Sequence, residues 1–407
     1  MNSSNNEESR LPPYHAPIAL DEDFFSDPHA SYTTLRRKGG VHRAVTQDGA
    51  PLFLVTGYRE VREAAVSPSL SLNKCHARSV GRDGSSMPPE LDAHLLNTDP
   101  PAHTRLRRLV NSTFTPRRTE HLRTDIEEIT DRLLDRISSR RRADVMTEFA
   151  MPLSMEVICR LLGIPQEKRI DFRAWTDTLL SPAAGSAPQS REAMRRMHRF
   201  LITLIEVKRE EPGDDLLSAL ILAHDEEDRL TADELVAMAF LLLFGGYHNT
   251  ASLIATSAMA LLSNANHLSA FRSGDLTTHA VTEEALRWNP PAMLAARRFA
   301  TRKIHIGDVP VVSGDRIWLS WAAANRDPER FERPETFDPH RENNTHLSFG
   351  HGLHYCPGAS LARLENSIAV ASLTNRFPAL SLVDQPGDLR WVASPRSRSL
   401  NELRVDL

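Results

Sequence analysis

The sequence predicts a mainly α-helical protein with a small β region, folded as one unit. Long runs with an apolar residue every three to four positions fill most of the chain from about residue 102 onward. Strand-like alternation is confined to short stretches, PLFLVTG at 51–57 and RKIHIGDVPVVSGDRIWLSW at 302–321. No internal repeat or low-complexity tract divides the 407 residues, which suffice for one large core.

The elements follow in chain order. Residues 1–15 carry neither a basic start nor an apolar stretch, so they read as a loose segment rather than a signal or anchor, with one folded unit over 16–407. A helix opens at Pro100 and Pro101, with Leu106, Leu109 and Val110 on one side and Arg105, Arg107 and Arg108 elsewhere. Residues 119–140 space Leu122, Ile126, Ile129, Leu133, Leu134 and Ile137 for an amphipathic surface helix. MEVICRLLGIP is a helix stopped by Gly163 and Pro165, with Cys159 among its core positions. Residues 181–190 hold two Pro, Gly and Ser between helical patterns and predict a mobile loop, with a lid as its functional reading. Thr231 caps a helix, with Glu234 three residues on, that runs through GGYHNT to about Leu262. Two adjacent glycines cost about 2 kcal/mol there relative to Ala, so Gly245 and Gly246 serve either a flat ligand or close helix packing.

Composition excludes several classes. Lys+Arg number 49 against 53 Asp+Glu, a net charge of −4 that gives no basic field for nucleic acid. The apolar run from Leu235 to Phe244 is shorter than the roughly 20 residues a membrane span needs. Cys75, Cys159 and Cys356 are odd in number and widely spread, against a disulfide framework and for a reducing, cytoplasmic setting.

The sharpest segment is FGHGLHYCPGASLARLE, from Phe349 to Glu365. Gly350, Gly352 and Gly358 crowd Cys356 and allow a bulky flat group to approach the backbone. A helical pattern begins just after the cysteine, and the exposed N–H groups of a helix start favour thiolate, hence metal ligation. His351 and His354 make zinc the rival reading, but the spacing fits no common zinc pattern. The segment resembles the haem-binding loop of the cytochrome P450 family, with phenylalanine, Gly-x-Gly, a basic residue, the cysteine and a glycine two residues later. Three further segments match that family, so the resemblance covers the chain from about residue 20.

The resemblance implies a single-domain cytochrome P450 fold and haem b, with Cys356 as proximal ligand and Phe349 and Gly358 beside it. It implies that Glu284 and Arg287 of EEALRW form an ion-pair cluster with Arg341; an ordinary pair between Glu283 and Arg287 is the alternative. It places His103, Arg107, Arg298 and His354 on the haem propionates. In the central helix His248 and Asn249 stand where the family has an acid and a threonine, and Thr250 replaces the latter only if a bulge shifts the register. Either His248 relays protons beside Asn249, or it points into a neighbouring helix.

By family position, the largely apolar substrate is met by 71–96, the loop at 181–190, Leu242, Gly246, Met293, Leu294 and Ser394, though core packing would use the same residue types. PRSRS, 395–399, reads as a solvated loop or a contact for an anionic substrate. Electrons are expected from a separate ferredoxin and its reductase, with Arg105 and Arg108 on the docking face. The expected activity is hydroxylation of a specialised metabolite with O2. The alternative is dehydrogenative coupling or cyclisation, and a haem sensor or scaffold without turnover is the reading from another class.

Overall fold

The computed structural model describes residues 16–78, 91, 93–180, 187–225, 230–395 and 397–407. The predicted loose start and residues 181–186 of the predicted loop lie outside the described residues, as does most of 79–92.

Helices carry the architecture. Short helices α1 (Glu22–Ser26), α2 (Pro28–Arg36) and α3 (Tyr58–Val66) accompany the first strands, and α4 (Ala102–Thr113) starts directly after Pro101. Helices α5 (Pro116–Ile137), α6 (Met151–Leu161), α7 (Arg169–Leu180), α8 (Ala187–Glu210) and α9 (Leu216–Asp225) surround the longest one, α10 (Ala232–Leu262). Then come α11 (Ala265–Ser273), α12 (Thr278–Trp288), α13 (Trp321–Ala324) and α14 (Ala359–Arg376).

The β region is small and spread over the chain. A six-stranded sheet runs β1 (Ile18–Leu20), β2 (Val41–Thr46), β3 (Pro51–Val55), β9 (Arg316–Leu319), β6 (Arg298–Ala300) and β4 (Leu70–Ser71). Parallel pairing of Phe53 with Ile317, and antiparallel pairing of Arg298 with Ile317, carry β6 into the interior. β7 (Ile304–Ile306) and β8 (Val309–Val311) form a hairpin; β10 (Ser381–Leu382), β11 (Arg404–Asp406) and β5 (Arg142–Asp144) form a third sheet.

The amphipathic reading of α5 holds: Ile126, Ile129, Leu133, Leu134 and Ile137 are buried, with α14 packed on that helix. Cys159 is buried in the same core, where burial pushes its thiol up to about 12. The cap of α10 is reciprocal: Glu234 N donates to Thr231 Oγ1 at 3.1 Å, and Thr231 N donates to Glu234 Oε2 at 2.8 Å. Contrary to the short-run reading, α10 as a whole is long and apolar enough to cross a membrane. Its most apolar window is 67% buried against neighbouring helices, so its apolar surface makes the core.

GGYHNT does not interrupt the helix. α10 is regular through Gly245 and Gly246, and the two glycines serve different ends. A Cβ at Gly246 would sit 2.4 Å from Ile158 Cδ1 of α6, so this glycine permits close helix packing; a Cβ at Gly245 would meet nothing within 4 Å.

Candidate active site

Three segments far apart in sequence converge: the loop before α14, the start of α4, and β6. In the loop, Cys356 N donates to Phe349 O at 2.7 Å, folding the chain back on itself. Gly350 and Gly352 hold left-handed backbone, φ 78° and 75°. A Cβ at Gly352 would also lie 2.5 Å from Val66 Cγ1 of α3. Gly358 caps α14, and its Cβ position is 3.9 Å from Cys356 Sγ.

Burial pushes the Cys356 thiol up, and the Gly358 N–H, Arg107 and Arg363 pull it down. The helix start therefore works as expected but does not outweigh burial in the chain alone; a cationic ligand is what would hold the thiolate.

His103 on α4 is 1% exposed, and both its ring nitrogens are buried without a partner. Its ring centroid is 4.2 Å from that of His354, whose Nδ1 is likewise buried and unpartnered. Burial, then the charges of His103 and Arg298, lower His354 to about 3, and burial, then Arg107, lowers His103. Arg298 is 3% exposed, donates to Ala296 O at 3.1 Å, and is lowered to about 10 by burial. Arg107 Nη1 donates to Tyr355 O at 2.5 Å, tying α4 to the cysteine loop. All four predicted residues thus share one electrostatic neighbourhood. Asp99, which sequence reasoning missed, is the acid beside them, and it accepts from Ser71 and from Leu72 N. Partnerless buried ring nitrogens beside the buried Arg298 guanidinium are costly unless something anionic fills the space. The donor set fits a group carrying carboxylates and a thiophilic metal, as haem does.

The ion-pair cluster is present. Arg287 Nε and Nη2 donate to Glu284 at 2.8 and 2.7 Å, both side chains fully buried. The same guanidinium donates to the carbonyls of Asn325, Pro334 and Thr336 at 2.8–3.0 Å. Arg341 Nε is 3.5 Å from Glu284, and its Nη1 donates to Glu332 O. Glu283 does not pair with Arg287. It accepts from Arg363 of α14 at 2.7 and 2.9 Å and contacts His346 Nε2 at 3.3 Å. Against the upward push of burial, these bonds hold its carboxyl down at about 2. Arg363 also lies 4.6 Å over the Phe349 ring, locking that predicted residue beneath the loop.

On α10, Asn249 Nδ2 donates to Gly245 O at 3.0 Å. His248 has a buried, unpartnered Nε2, packs against the Tyr247 ring at 4.6 Å, and is lowered by burial with Asp177 opposing. Asp177 belongs to α7 and accepts from Tyr247 Oη at 2.8 Å. Tyr247 and Asp177 were not foreseen; the tyrosine stood in the motif, but its partner is 70 residues away. No bulge shifts the register, so Thr250 stays about 100° round the helix from Asn249 and is buried.

Of the expected pocket residues, Met293 and Gly246 pack against other elements. Met293 is fully buried in the core formed by Leu20, Phe24 and Tyr32, and Gly246 packs on α6. Leu242 is 8% exposed within the main core, Leu294 bridges to Ser320, and Ser394 is buried. Arg105 is committed to Glu234 at the start of α10, whereas Arg108 is exposed. Arg398 of PRSRS is 6% exposed, not solvated.

Comparison with known proteins agrees with this geometry. A family model described as Cytochrome P450 matches residues 276–394. The chain is 43% identical over 398 residues to Cytochrome P450 107B1 of Saccharopolyspora erythraea, covering 95% of this chain and 97% of that one. It is 40% identical to Cytochrome P450 monooxygenase PikC of Streptomyces venezuelae, covering 95% and 92%. The tirandamycin C-bound structure of the P450 monooxygenase TamI superposes with TM-score 0.88 at 40% identity, covering 96% of this chain and 100% of that one.

Proposed function

The chain belongs to the cytochrome P450 family, and we propose that within it Cys356 ligates haem b for hydroxylation of a largely apolar specialised metabolite. Oxidation of a small molecule with O2 by a haem-thiolate enzyme follows from membership. The observation that carries the finer reading is the group formed by buried His103 and Arg298 with half-buried Cys356, His354 and Arg107, with buried ring nitrogens left for a carboxylate. When bound, thiolate-ligated haem iron supplies activation of O2, the sulfur's electron donation favouring O–O cleavage.

The protein's own residues then divide the work. His103 and His354 would donate ring N–H groups to propionate oxygens, while Arg107 and Arg298 would supply positive charge. Glu283, Arg363 and Phe349 brace the cysteine loop from behind. Gly245 leaves space on α10, and Asn249 holds an amide beside that space by bonding Gly245 O. Electrons come from a separate ferredoxin and its reductase in the cytoplasm. Exposed Leu353 and Tyr355 in the cysteine loop, with exposed Arg108 on α4, would meet an acidic, partly apolar partner.

A carbon monoxide difference spectrum of the reduced protein tests the ligation. The strongly red-shifted band of thiolate-ligated haem is expected, and its presence in Cys356→Ser would overturn the assignment.

The second reading, dehydrogenative coupling or ring closure, is favoured by one observation: neither an acid nor an alcohol occupies positions 248 and 249. Product formed under isotopic O2 decides between the readings, since hydroxylation incorporates the label and coupling does not. If the altered relay limits hydroxylation, His248→Glu with Asn249→Thr raises the yield of hydroxylated product per electron consumed; an unchanged yield refutes that limit.

A further inference from the structure

We propose that a cavity behind the turn closed by Trp391 and Leu400 is a second binding site, for a small planar carboxylate. The cavity measures about 540 Å³, a size suited to a small ligand, and none of its lining residues belongs to the cysteine site. Its α10 wall, Met259 and Ala260, lies ten residues beyond Asn249, about 15 Å along the helix.

Arg398 carries the inference. It is 6% exposed, its Nε is buried without a partner, and the one hydrogen bond of its side chain is a long 3.4 Å contact from Nη1 to Ser26 O. Among the described residues no carboxylate lies within ion-pair distance of it. Its guanidinium instead sits 4.3 Å over the Trp391 ring. A buried guanidinium that no carboxylate contacts is destabilising, so an anion that reaches it is favoured.

The other polar groups do not fill this role. Arg326 is engaged with Glu335 and Trp288 O at 2.7 Å each. Asp27, an acid on the same wall, attracts Arg398 only from beyond ion-pair distance, and its Oδ1 accepts from Ala30 N at 3.2 Å as the cap of α2. His267 adds a second buried, unpartnered atom, Nδ1. Trp288 and Phe337 line the rest and give a flat apolar body a wall. The ligand therefore presents a carboxylate to Arg398 and a planar apolar body to the aromatic side chains.

The test is calorimetric titration of the holoenzyme with indole-3-acetate, the cysteine site first saturated with 4-phenylimidazole. Saturable binding is expected, at least tenfold weaker for indole-3-acetamide and at least tenfold weaker for acetate in Arg398→Gln. Absence of saturable acetate binding, equal binding of acid and amide, or full binding by folded Arg398→Gln overturns the proposal. The acid–amide comparison on the unaltered protein decides the matter should Arg398→Gln fail to fold.

Discussion

Glu365 sits on the second turn of α14, 3% exposed, and its carboxyl accepts one hydrogen bond, from Ser154 Oγ of α6 at 2.7 Å. Burial raises it to about 8, with the Ser154 bond pulling the other way. The folded protein therefore holds a proton there that the unfolded chain releases near its ordinary value of 4.5. For a carboxyl raised on folding, stability is full below the unfolded value, falls as pH rises toward the folded value, and levels off above it. At about 1.36 kcal/mol per pH unit, the total loss is roughly 5 kcal/mol. Glu365→Gln keeps an acceptor for Ser154 and removes the ionisation. The variant should gain about 1 kcal/mol over the parent near pH 5.5 and about 4 kcal/mol near pH 8. Urea unfolding of both proteins, followed by tryptophan fluorescence at the two pH values, measures this. A stability difference that does not grow with pH refutes a buried, protonated Glu365.

Arg287→Lys keeps the charge but cannot reach Glu284 and three carbonyls together, so it should cost about 3–5 kcal/mol, read as a lowered thermal midpoint and reduced yield of folded protein. Gly352→Ala strains a left-handed position and meets Val66; a loss of about 1–3 kcal/mol and a smaller haem-loaded fraction are expected in spectral titration. Arg108→Glu should slow reduction by an acidic ferredoxin and flatten the salt dependence of that rate, with folding unchanged. Stopped-flow reduction at two ionic strengths checks it.

What the sequence disclosed was local. Cys356 with its glycines, the capping box at Thr231, and Glu284 with Arg287 are each written within a few consecutive residues, so spacing alone exposed them. Pairings across the fold were not legible: Glu283 finds Arg363 80 residues on, and Ser154 finds Glu365 211 residues on. Composition also fails to separate core from pocket. Met293 and Gly246 are the residue types that would line an apolar cavity, yet one fills the core with Phe24 and the other admits Ile158. Arg398 misled for a similar reason, since a Ser- and Arg-rich run looks solvated until the fold closes over it.

Tyr355 joins the outer surface to the sulfur. It is 40% exposed, its carbonyl accepts from Arg107, and its hydroxyl lies 3.4 Å from Arg363. Those two guanidinium groups are the charges that favour a negative Cys356. Any protein that settles over Tyr355 displaces the water now screening both cations, and their attraction for the sulfur grows as the local dielectric falls. Docking at this face would thus change the electronic surroundings of the cysteine.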